Sequence, residues 1–278
     1  MNEITIVIIT YKSRGIIYDF IKKIPSIIKI IIIDNSQDYE LKKDIEEKYK
    51  NISVYLKENN GVSSALNYAV EKIKTKYFLQ ISPDLEFNFE DLKIFLDFAK
   101  TKKKNFAALG PRFLNKKQKS HKQINENLEF GKIDSIHGSC MFVYKYIFFK
   151  IGKFDENFFL YFEETQYCYR AKKKGFFSYQ INDIKVTTKG RSVDLENEKN
   201  ENFSNILIWH FIWSKFYFHK KKYGKLLSLI IFLPLLVRIL FKIALYTIIK
   251  NKTSTIKYKT RFDGLLKSIK GQKSDLRP

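Results

Sequence analysis

The chain has 278 residues and a formal net charge of +22, and 45% of its residues are hydrophobic and 16% aromatic. This apolar content excludes a disordered chain, and the length allows one large domain with a smaller appendage. The surplus of Lys and Arg favours anionic partners such as acidic lipid, a phosphate-bearing substrate or nucleic acid, although runs of Lys are equally common on solvated surfaces.

Short apolar segments alternate with helical segments along the first part of the chain. A strand buried on both faces is predicted from the β-branched run at 4–9, and further strands are predicted from the apolar segments at 28–33, 52–56 and 77–81. Helices are predicted between them at 16–24, 39–50 and 62–73. This alternation predicts an α/β fold with a doubly wound, mostly parallel sheet flanked by helices. In such sheets ligands bind beyond the carboxyl ends of the strands, where Asp34 and Asp84 lie.

The later segments are less regular. They predict a helix at 89–100, a loop-rich stretch at 107–120 with strand character at its start, a strand at 133–144 and a helix at 163–174. The composition then changes, because residues 203–223 are aromatic and basic and residues 226–249 are almost wholly apolar. We therefore predict one domain over residues 1–200 and a C-terminal helical region over residues 201–278.

Five motifs follow one another in a characteristic order. They are VIITYKS (7–13), IIIDNS (31–36), ENNGVSSALNYAV (58–70), QISPDLEF (80–87) and HGSCMFVYKYIFFKIGKFDENFFLYFEETQYCYRAKKKGF (137–176). Together they resemble glycosyltransferase family 2, most closely its rhamnosyltransferase-like branch, over about residues 4–225. The resemblance implies a GT-A fold and transfer of a sugar, with inversion, from a nucleoside diphosphate donor. Each motif alone would be weak evidence.

The resemblance places the donor nucleotide at the ends of the first strands. Thr10 and Tyr11 close the first strand, where their backbone and side-chain groups can meet a nucleoside. Asp34, one strand over, is placed to accept a hydrogen bond from a pyrimidine imide or a ribose hydroxyl. Because Asp-Asn-Ser also forms turns readily, Asp34 has a second interpretation as the cap of a turn.

A turn at Asn60 and Gly61 leads into the helix that carries Asn67. The unpaired N–H groups of a helix start favour negative charge, and the resemblance puts this turn beside the donor nucleotide. A plain helix-entry turn would have the same sequence.

Asp84 stands where many members of the family have an Asp-x-Asp metal motif. A carboxylate at a strand end can hold Mg²⁺ or Mn²⁺, with the donor phosphates completing the coordination shell. The ion would stabilise the charge that develops on the leaving diphosphate. Glu86, two residues on, is a possible accessory ligand. The alternative role of Asp84 is to cap the helix predicted at 89–100.

The candidate catalytic base lies in the segment YFEETQYCYR (161–170). The branch usually has Glu-Asp followed by a second Asp, whereas this chain has Glu163, Glu164 and Gln166. The resemblance therefore assigns the base to Glu164, with Glu163 as an accessory residue, because a carboxylate can accept the proton of an attacking hydroxyl. An acidic first helical turn, stabilised by the helix dipole, is the structural alternative.

A second departure from the branch occurs downstream. Thr187 stands where the branch often has His in a His-x-x-Gly-x-Ser motif. A neutral hydroxyl cannot supply a cationic or imidazole contact to the diphosphate. Lys189 or Arg191 would have to supply that charge instead.

The apolar segment 226–249 is long enough to cross a bilayer, but Pro234, Arg238 and Lys242 interrupt it. Arg238 and Lys242 are four residues apart and share a helical face, as in a helix that lies in the membrane interface. A single tilted span and a buried or dimerising helix remain alternatives. The basic segment 219–225 adds cations that suit anionic lipid.

These observations lead to a hypothesis for the whole chain. We expect a metal-dependent hexosyltransferase that moves a sugar, rhamnose being one candidate, from a dTDP- or UDP-linked donor to a lipid-linked or growing cell-surface glycan. The two cysteines are too few for a disulfide framework, and no signal peptide is recognisable, so we expect the cytoplasmic face of a bacterial inner membrane, with peripheral or single-span attachment. The alternative is a degenerate, non-catalytic relative that binds nucleotide sugar or scaffolds a glycan assembly complex. No recognition helix or RNA-binding signature is present, so we expect no nucleic acid partner.

Overall fold

The β-branched runs form strands in the computed structural model, which describes residues 2–102, 105–115, 122–189 and 201–278. The strands of the first compact unit are β1 (Ile4–Thr10), β2 (Lys29–Asp34), β3 (Ile52–Leu56), β4 (Tyr77–Ile81), β5 (Leu85–Glu86), β6 (Phe106–Phe113), β7 (Phe130–Ile133), β8 (Cys140–Tyr144) and β9 (Phe177–Thr188). Its helices are α1 (Arg14–Ile21), α2 (Tyr39–Lys48), α3 (Val62–Lys72), α4 (Leu92–Asp97), α5 (Lys145–Ile151) and α6 (Glu163–Lys173). A 3-10 turn at Phe89–Asp91 precedes α4 and a π-helical turn at Phe98–Lys102 follows it.

The strands of the described residues form one sheet in the order β3-β2-β1-β4-β8-β6-β9-β5, with β7 paired to β9. The first four strands are parallel to one another. Strand β8 runs antiparallel to β4 and to β6, while β9 is parallel to β6 and antiparallel to β5 and β7. The predicted α/β sheet flanked by helices is therefore confirmed, and beyond β4 it is mixed.

The chain reverses its direction of travel across the sheet at β1. From β1 it proceeds to β2 and β3 on one side and then crosses to β4 on the other. A crevice forms at the carboxyl ends of the strands where strand order reverses in this way. This topology places the ends of β1, β2 and β4 around one potential ligand site.

Both faces of the sheet are covered, which explains the nearly unbroken β-branched sequence of its central strands. On β1, Ile6 and Ile8 belong to one core cluster, together with residues of α1, α2 and α4. Val7 belongs to the cluster on the opposite face, with residues of α3, α5 and α6. Alternate residues of a strand point to opposite faces, so the apolar residues of β1 divide between two apolar layers.

The single strand predicted at 133–144 is wrong. Strand β7 ends at Ile133, strand β8 begins at Cys140, and a turn lies between them. The turn forms because the carbonyl of His137 accepts the N–H of Cys140 at 3.1 Å, and the Nδ1 atom of His137 accepts the N–H of Ser139 at 3.2 Å.

The second compact unit contains three helices, α7 (Glu201–Tyr223), α8 (Lys225–Ile248) and α9 (Lys252–Lys270). The first unit comprises Met1–Asp155 and Glu163–Asp194, and the second comprises Glu156–Phe162 and Leu195–Pro278. A division at residue 200 alone would leave the segment 156–162 in the first domain. That segment packs on α7 instead, with Phe158 against Tyr217 and Phe159 stacked on His210.

The three helices share a small apolar core formed by Ile212, Phe216, Phe232, Ile239 and Leu265. Helices α7 and α9 approach closely at Gly264. A Cβ atom at that position would lie 2.8 Å from the carbonyl oxygen of Trp209 and 2.9 Å from Cγ2 of Ile212. Such contacts are shorter than van der Waals packing allows, so the crossing of the two helices requires glycine.

His210 fastens the C-terminal segment to α7. Its Nε2 atom lies 2.7 Å from the carbonyl oxygen of Leu276, and its Nδ1 atom lies 2.9 Å from the hydroxyl of Ser274. Because a carbonyl can only accept, Nε2 carries a proton. The low pKa of His210 keeps the ring neutral at pH 7, so Nδ1 accepts the hydroxyl of Ser274. Burial lowers the pKa of His210 to about 4, and the neighbouring charge of Arg277 acts in the same direction.

The stability of this unit is expected to fall in acid. His210 binds a proton near pH 6.5 when unfolded but only near pH 4 when folded, so the unfolded state binds more protons between these values. The free energy of unfolding should therefore decrease by about 3 kcal/mol as the pH falls from 7 to 4. Thermal unfolding of wild type and His210→Gln, followed by circular dichroism across this range, isolates the contribution, because carboxylates elsewhere titrate in both proteins. Equal pH slopes for the two proteins would contradict it.

Candidate functional site

The ends of β1 and β2 lie side by side, with Thr10 paired to Asp34 in the parallel register. Asp34 is fully buried, and protein groups occupy both of its carboxylate oxygens. Its Oδ1 atom accepts the hydroxyls of Thr10 at 2.9 Å and Ser36 at 2.7 Å, and its Oδ2 atom accepts the N–H of Asp38 at 2.8 Å. Asp34 therefore organises the turn after β2, which is the capping arrangement that its sequence also allowed.

The loop after β1 packs beside this turn. The N–H of Lys12 donates to the hydroxyl of Ser36 at 2.9 Å, and Lys12 has a positive φ of 48°. Tyr11 is half-buried at the same edge. Asn35 is 93% buried, and among the described residues its Oδ1 atom has no hydrogen-bond partner. A buried orphan acceptor at this edge is a polar group that a bound molecule could satisfy.

The entry into α3 provides a second orphan group. Gly61 caps the helix with φ 90°, a conformation that favours glycine, and its N–H donates to Oδ1 of Asn59 at 3.3 Å. Asn60 is exposed beside it. In the first turn of α3, the buried hydroxyl of Ser63 has no partner among the described residues. Neither Ser63 nor Asn35 was singled out from the sequence, because a lone Ser or Asn carries no distinctive signal.

Asn67 uses its amide group to hold a loop. Its Nδ2 atom donates to the carbonyl of Phe154 at 3.0 Å, and its Oδ1 atom accepts the N–H of Phe154 at 3.0 Å. The two bonds fix the Gly-Lys-Phe-Asp loop, residues 152–155, against α3. This geometry gives Asn67 a positioning role, and direct contact with a nucleotide remains a prediction.

Asp84 follows β4 at the carboxyl edge and is half-buried. Its Oδ2 atom accepts the hydroxyl of Thr188 at 2.8 Å, and its backbone carbonyl accepts the N–H of Lys189 at 3.0 Å. The exposed carboxylate of Glu86 accepts the hydroxyl of Thr187 at 2.6 Å. The two threonines therefore hold the two carboxylates at the end of β9.

The turn 137–139 connects Asp84 with the candidate base. The N–H of Ser82 donates to the carbonyl of Ser139 at 2.9 Å, which joins the end of β4 to this turn. Glu164 covers the glycine of the turn, because a Cβ atom on Gly138 would lie 3.7 Å from Oε2 of Glu164. The N-terminus of α6 thus reaches the same edge of the sheet as β4.

Glu163 and Glu164 form the first turn of α6 and are both buried. Burial raises the pKa of Glu164 to about 7, although the hydroxyl of Thr165, which donates to Oε1 at 3.1 Å, opposes the change. Burial and the charge of Glu164 together raise the pKa of Glu163 well above its ordinary value. Among the described residues Oε2 of Glu163 has no hydrogen-bond partner. A carboxylate with a pKa near the operating pH is suited to general base catalysis.

Gln166 has a local partner that explains its presence. Its Oε1 atom accepts the Nε–H of Arg170 at 2.9 Å, and the guanidinium of Arg170 donates to the carbonyls of Ile151, Gly152 and Lys153. Arg170 therefore clamps α6 to the loop that Asn67 holds from the other side. A neutral amide is sufficient to orient Arg170 in this way.

The structure places the residues singled out from the sequence in several groups along the carboxyl edge of the sheet. Thr10, Tyr11 and Asp34 lie at the ends of β1 and β2, while Asp84, Glu86 and the exposed Lys189 lie where β4, β5 and β9 meet. Arg191 lies outside the described residues. In the part of the chain that the structure describes, no group of three or more His, Cys, Asp or Glu side chains could hold a metal ion.

The chemistry of Asp84 nevertheless fits a hard divalent cation. Its Oδ2 atom is bonded to Thr188, and within the described residues no hydrogen bond involves Oδ1. Mg²⁺ is commonly held by one or two carboxylates together with the phosphates of a substrate. One protein carboxylate at this edge is therefore enough, provided that the substrate supplies the remaining oxygens.

Comparison with known proteins gives consistent results. The profile described as Glycosyl transferase family 2 matches residues 5–170. The Low-salt glycan biosynthesis hexosyltransferase Agl10 of Haloferax volcanii is 27% identical over an alignment of 197 residues, and the match covers 63% of this chain and 63% of that protein. The chain thus spans less than two thirds of the length of this curated relative.

Two solved structures are similar in fold at low sequence identity. Mannosyltransferase PcManGT from Pyrobaculum calidifontis, in complex with GDP-Man and Mn²⁺, is 12% identical with a TM-score of 0.57, and the match covers 96% of this chain and 86% of that one. TarS 1–349 of S. aureus, in complex with UDP-GlcNAc, is also 12% identical with a TM-score of 0.57, and the match covers 97% and 92% of the two chains. At this identity the likeness establishes the fold alone.

Proposed function

The chain belongs to glycosyltransferase family 2, and from this premise we propose that it transfers a hexose from a nucleoside diphosphate sugar to an acceptor hydroxyl with inversion at the anomeric carbon. The observation that carries the proposal is the position of Glu164. It is a buried carboxylate with a pKa of about 7. It lies over Gly138, in the turn 137–139 that is hydrogen-bonded to the end of β4.

In the proposed reaction Glu164 takes the proton of the acceptor hydroxyl. The acceptor oxygen forms a bond to the anomeric carbon while the bond from that carbon to the diphosphate oxygen breaks, and the nucleoside diphosphate leaves with the electron pair. A single displacement of this kind inverts the anomeric configuration. Glu163 is the accessory residue beside this base, and its pKa is raised by burial and by the charge of Glu164.

The donor would occupy the carboxyl ends of β1, β2 and β4. The orphan polar atoms of Asn35 and Ser63 are available to it, and the N–H groups at the start of α3 favour a negatively charged ligand. Asp84 would hold Mg²⁺ or Mn²⁺, which when bound would offset the charge on the leaving diphosphate. Thr188 orients the carboxylate of Asp84, and Lys189, whose backbone N–H donates to the carbonyl of Asp84, would supply a positive charge to the diphosphate.

The finer parts of the proposal concern the substrates. We propose a dTDP- or UDP-linked donor, with rhamnose as one candidate sugar, and a lipid-linked or growing cell-surface glycan as the acceptor. The glycan biosynthesis role in the name of Agl10 supports a glycan acceptor. The apolar helix α8 is long and apolar enough to cross a membrane, which supports membrane attachment. We place the attached enzyme at the cytoplasmic face, where nucleotide sugars would be available.

The test is release of nucleoside diphosphate from a panel of nucleotide sugars, with membrane lipid extract as the acceptor source and with or without Mn²⁺ or Mg²⁺. We expect release from one donor that depends on the divalent ion and on the extract. If no donor is consumed although equilibrium binding of one is measurable, the degenerate, non-catalytic alternative replaces the proposal. If none binds either, both fail.

A further inference from the structure

Helix α8 has two apolar faces. One face packs on α7 and α9 through residues that include Ser228, Phe232 and Ile239, all of them buried. The opposite face is between 56% and 79% exposed at its large apolar side chains, which are Leu226, Ile230, Leu233, Val237, Phe241 and Ile248. These residues recur at intervals of three, four or seven, so they form one stripe along the helix. A stripe of this length on a folded unit marks a binding surface.

Helix α9 packs against α8, and its charged residues restrict how α8 can be placed in a membrane. Tyr258 of α9 stacks on Tyr246 at one end of α8, and Leu265 shares a core cluster with Ile239 and Phe232 toward the other end. Helix α9 therefore runs alongside most of α8. Between these contacts α9 carries Lys259, Arg261 and Asp263, and Lys257 directly precedes Tyr258; of these, Lys257, Lys259 and Asp263 are exposed. If α8 crossed a bilayer, these charges would enter the hydrocarbon core, where ionised side chains are strongly disfavoured.

The positive charges of the helical unit indicate which partner binds the exposed stripe. Arg238 and Lys242 lie on the flank of α8, between its packed and its exposed faces. Residues 201–278 contain sixteen Lys or Arg and only three Asp or Glu. A second copy of the same surface would bring these cations together, whereas anionic lipid headgroups neutralise them.

We propose that α8 lies in the plane of the membrane interface. Its exposed stripe enters the acyl layer, and Arg238 and Lys242 meet anionic headgroups, while α7 and α9 remain on the same side of the bilayer. The helix is about 36 Å long, so the stripe provides an extended contact. The inference deepens the membrane part of the proposed function. Its tests use no catalytic turnover, so either idea can fail without the other.

The first test is cosedimentation of the full chain with vesicles of phosphatidylcholine, with and without phosphatidylglycerol. Ile230→Asp and Phe241→Asp should each weaken binding at least about tenfold. The matched control is Ile256→Asp, at an exposed apolar residue of α9, which should bind as wild type does. Arg238→Gln and Lys242→Gln should each lower the preference for phosphatidylglycerol about fivefold. Circular dichroism and size-exclusion chromatography establish that each variant is folded.

Two outcomes of this test would overturn the proposal. One is unchanged vesicle binding by Ile230→Asp and Phe241→Asp. The other is a wild-type dimer that these substitutions dissociate, since that would assign the stripe to a second copy of the chain.

The second test separates an in-plane helix from a spanning one. Single cysteines are introduced at Lys225 and at Lys250, which are both exposed and lie at the two ends of α8, while Cys140 and Cys168 are buried. On sealed vesicles an in-plane helix leaves both new thiols reactive toward a membrane-impermeant maleimide. Protection of either thiol until detergent is added would show that α8 spans the bilayer and would refute the proposal.

Discussion

Replacing Glu164 by Gln is expected to lower kcat by about 10²- to 10⁴-fold, because the amide cannot accept the proton of the acceptor hydroxyl. The side chain keeps its size, so it can still lie over Gly138 and the KM for the donor should change little. Glu164→Asp should retain part of the activity, since Asp is the commoner residue of this family branch. The matched control is Glu47→Gln, at an exposed residue of α2, which should have wild-type kinetics.

The pH dependence of wild-type activity is an independent test of Glu164 as the general base. A general base is active when deprotonated, and burial raises the pKa of Glu164 to about 7. Activity should therefore be lost as the pH falls through 7 and should reach a plateau above it. This limb should be absent from the residual activity of Glu164→Gln. Wild-type turnover by Glu164→Gln, or a profile that is flat between pH 6 and 8, would remove Glu164 from the role of base.

Asp84→Asn should lower kcat/KM by about 10²- to 10³-fold and should weaken the dependence on Mn²⁺ or Mg²⁺. The amide can still accept the hydroxyl of Thr188, but it lacks the charge that a divalent cation requires. Thr188→Val should have a smaller effect, because it removes only the hydrogen bond that orients Asp84. Asp97→Asn, at an exposed residue of α4, is the control.

The measurement for Asp84 combines kinetics with binding of Mn²⁺ in the presence of donor, followed by electron paramagnetic resonance. Chelation should abolish wild-type activity, and added Mn²⁺ or Mg²⁺ should restore it. If Asp84→Asn binds Mn²⁺ as wild type does, the ion is held elsewhere. If chelation leaves wild-type activity unchanged, the protein does not depend on a metal.

The central strands could be predicted from the sequence because burial on both faces leaves a strong signal. Strands β3 and β4 have the predicted bounds, and β2 is displaced by one residue. Strand β9 was not predicted, although its alternating segment from Ile184 to Val186 has the period of a strand. Helix α9 lies within the helical region predicted over residues 201–278, but its bounds were not predicted, since its frequent Lys residues mask the apolar positions that pack on α7 and α8.

The sequence predicted the edge of the sheet on which the candidate site lies. It did not predict the individual hydrogen bonds within the site. The strand ends indicated where Asp34 and Asp84 lie, because topology fixes the edge on which parallel strands terminate. The hydrogen bonds of Asp34 depend on the exact placement of Thr10 and Ser36, which periodicity does not encode. In the same way, no local pattern predicts that the amide of Asn67 pairs with Phe154, 87 residues away.

The segment 156–162 belongs to the helical unit, so a soluble fragment cannot be made simply by truncating the chain after residue 200. Phe158 and Phe159 pack on α7, and the carbonyl of Leu160 accepts the hydroxyl of Ser214 at 2.8 Å. A chain shortened to residues 1–200 would keep these aromatic side chains but would lose the helix that covers them. Removal of the apolar tail would thus expose a hydrophobic, aggregation-prone segment that directly precedes Glu163 and Glu164 in the sequence. Substitution of the exposed stripe on α8 is the better route to a soluble, intact protein.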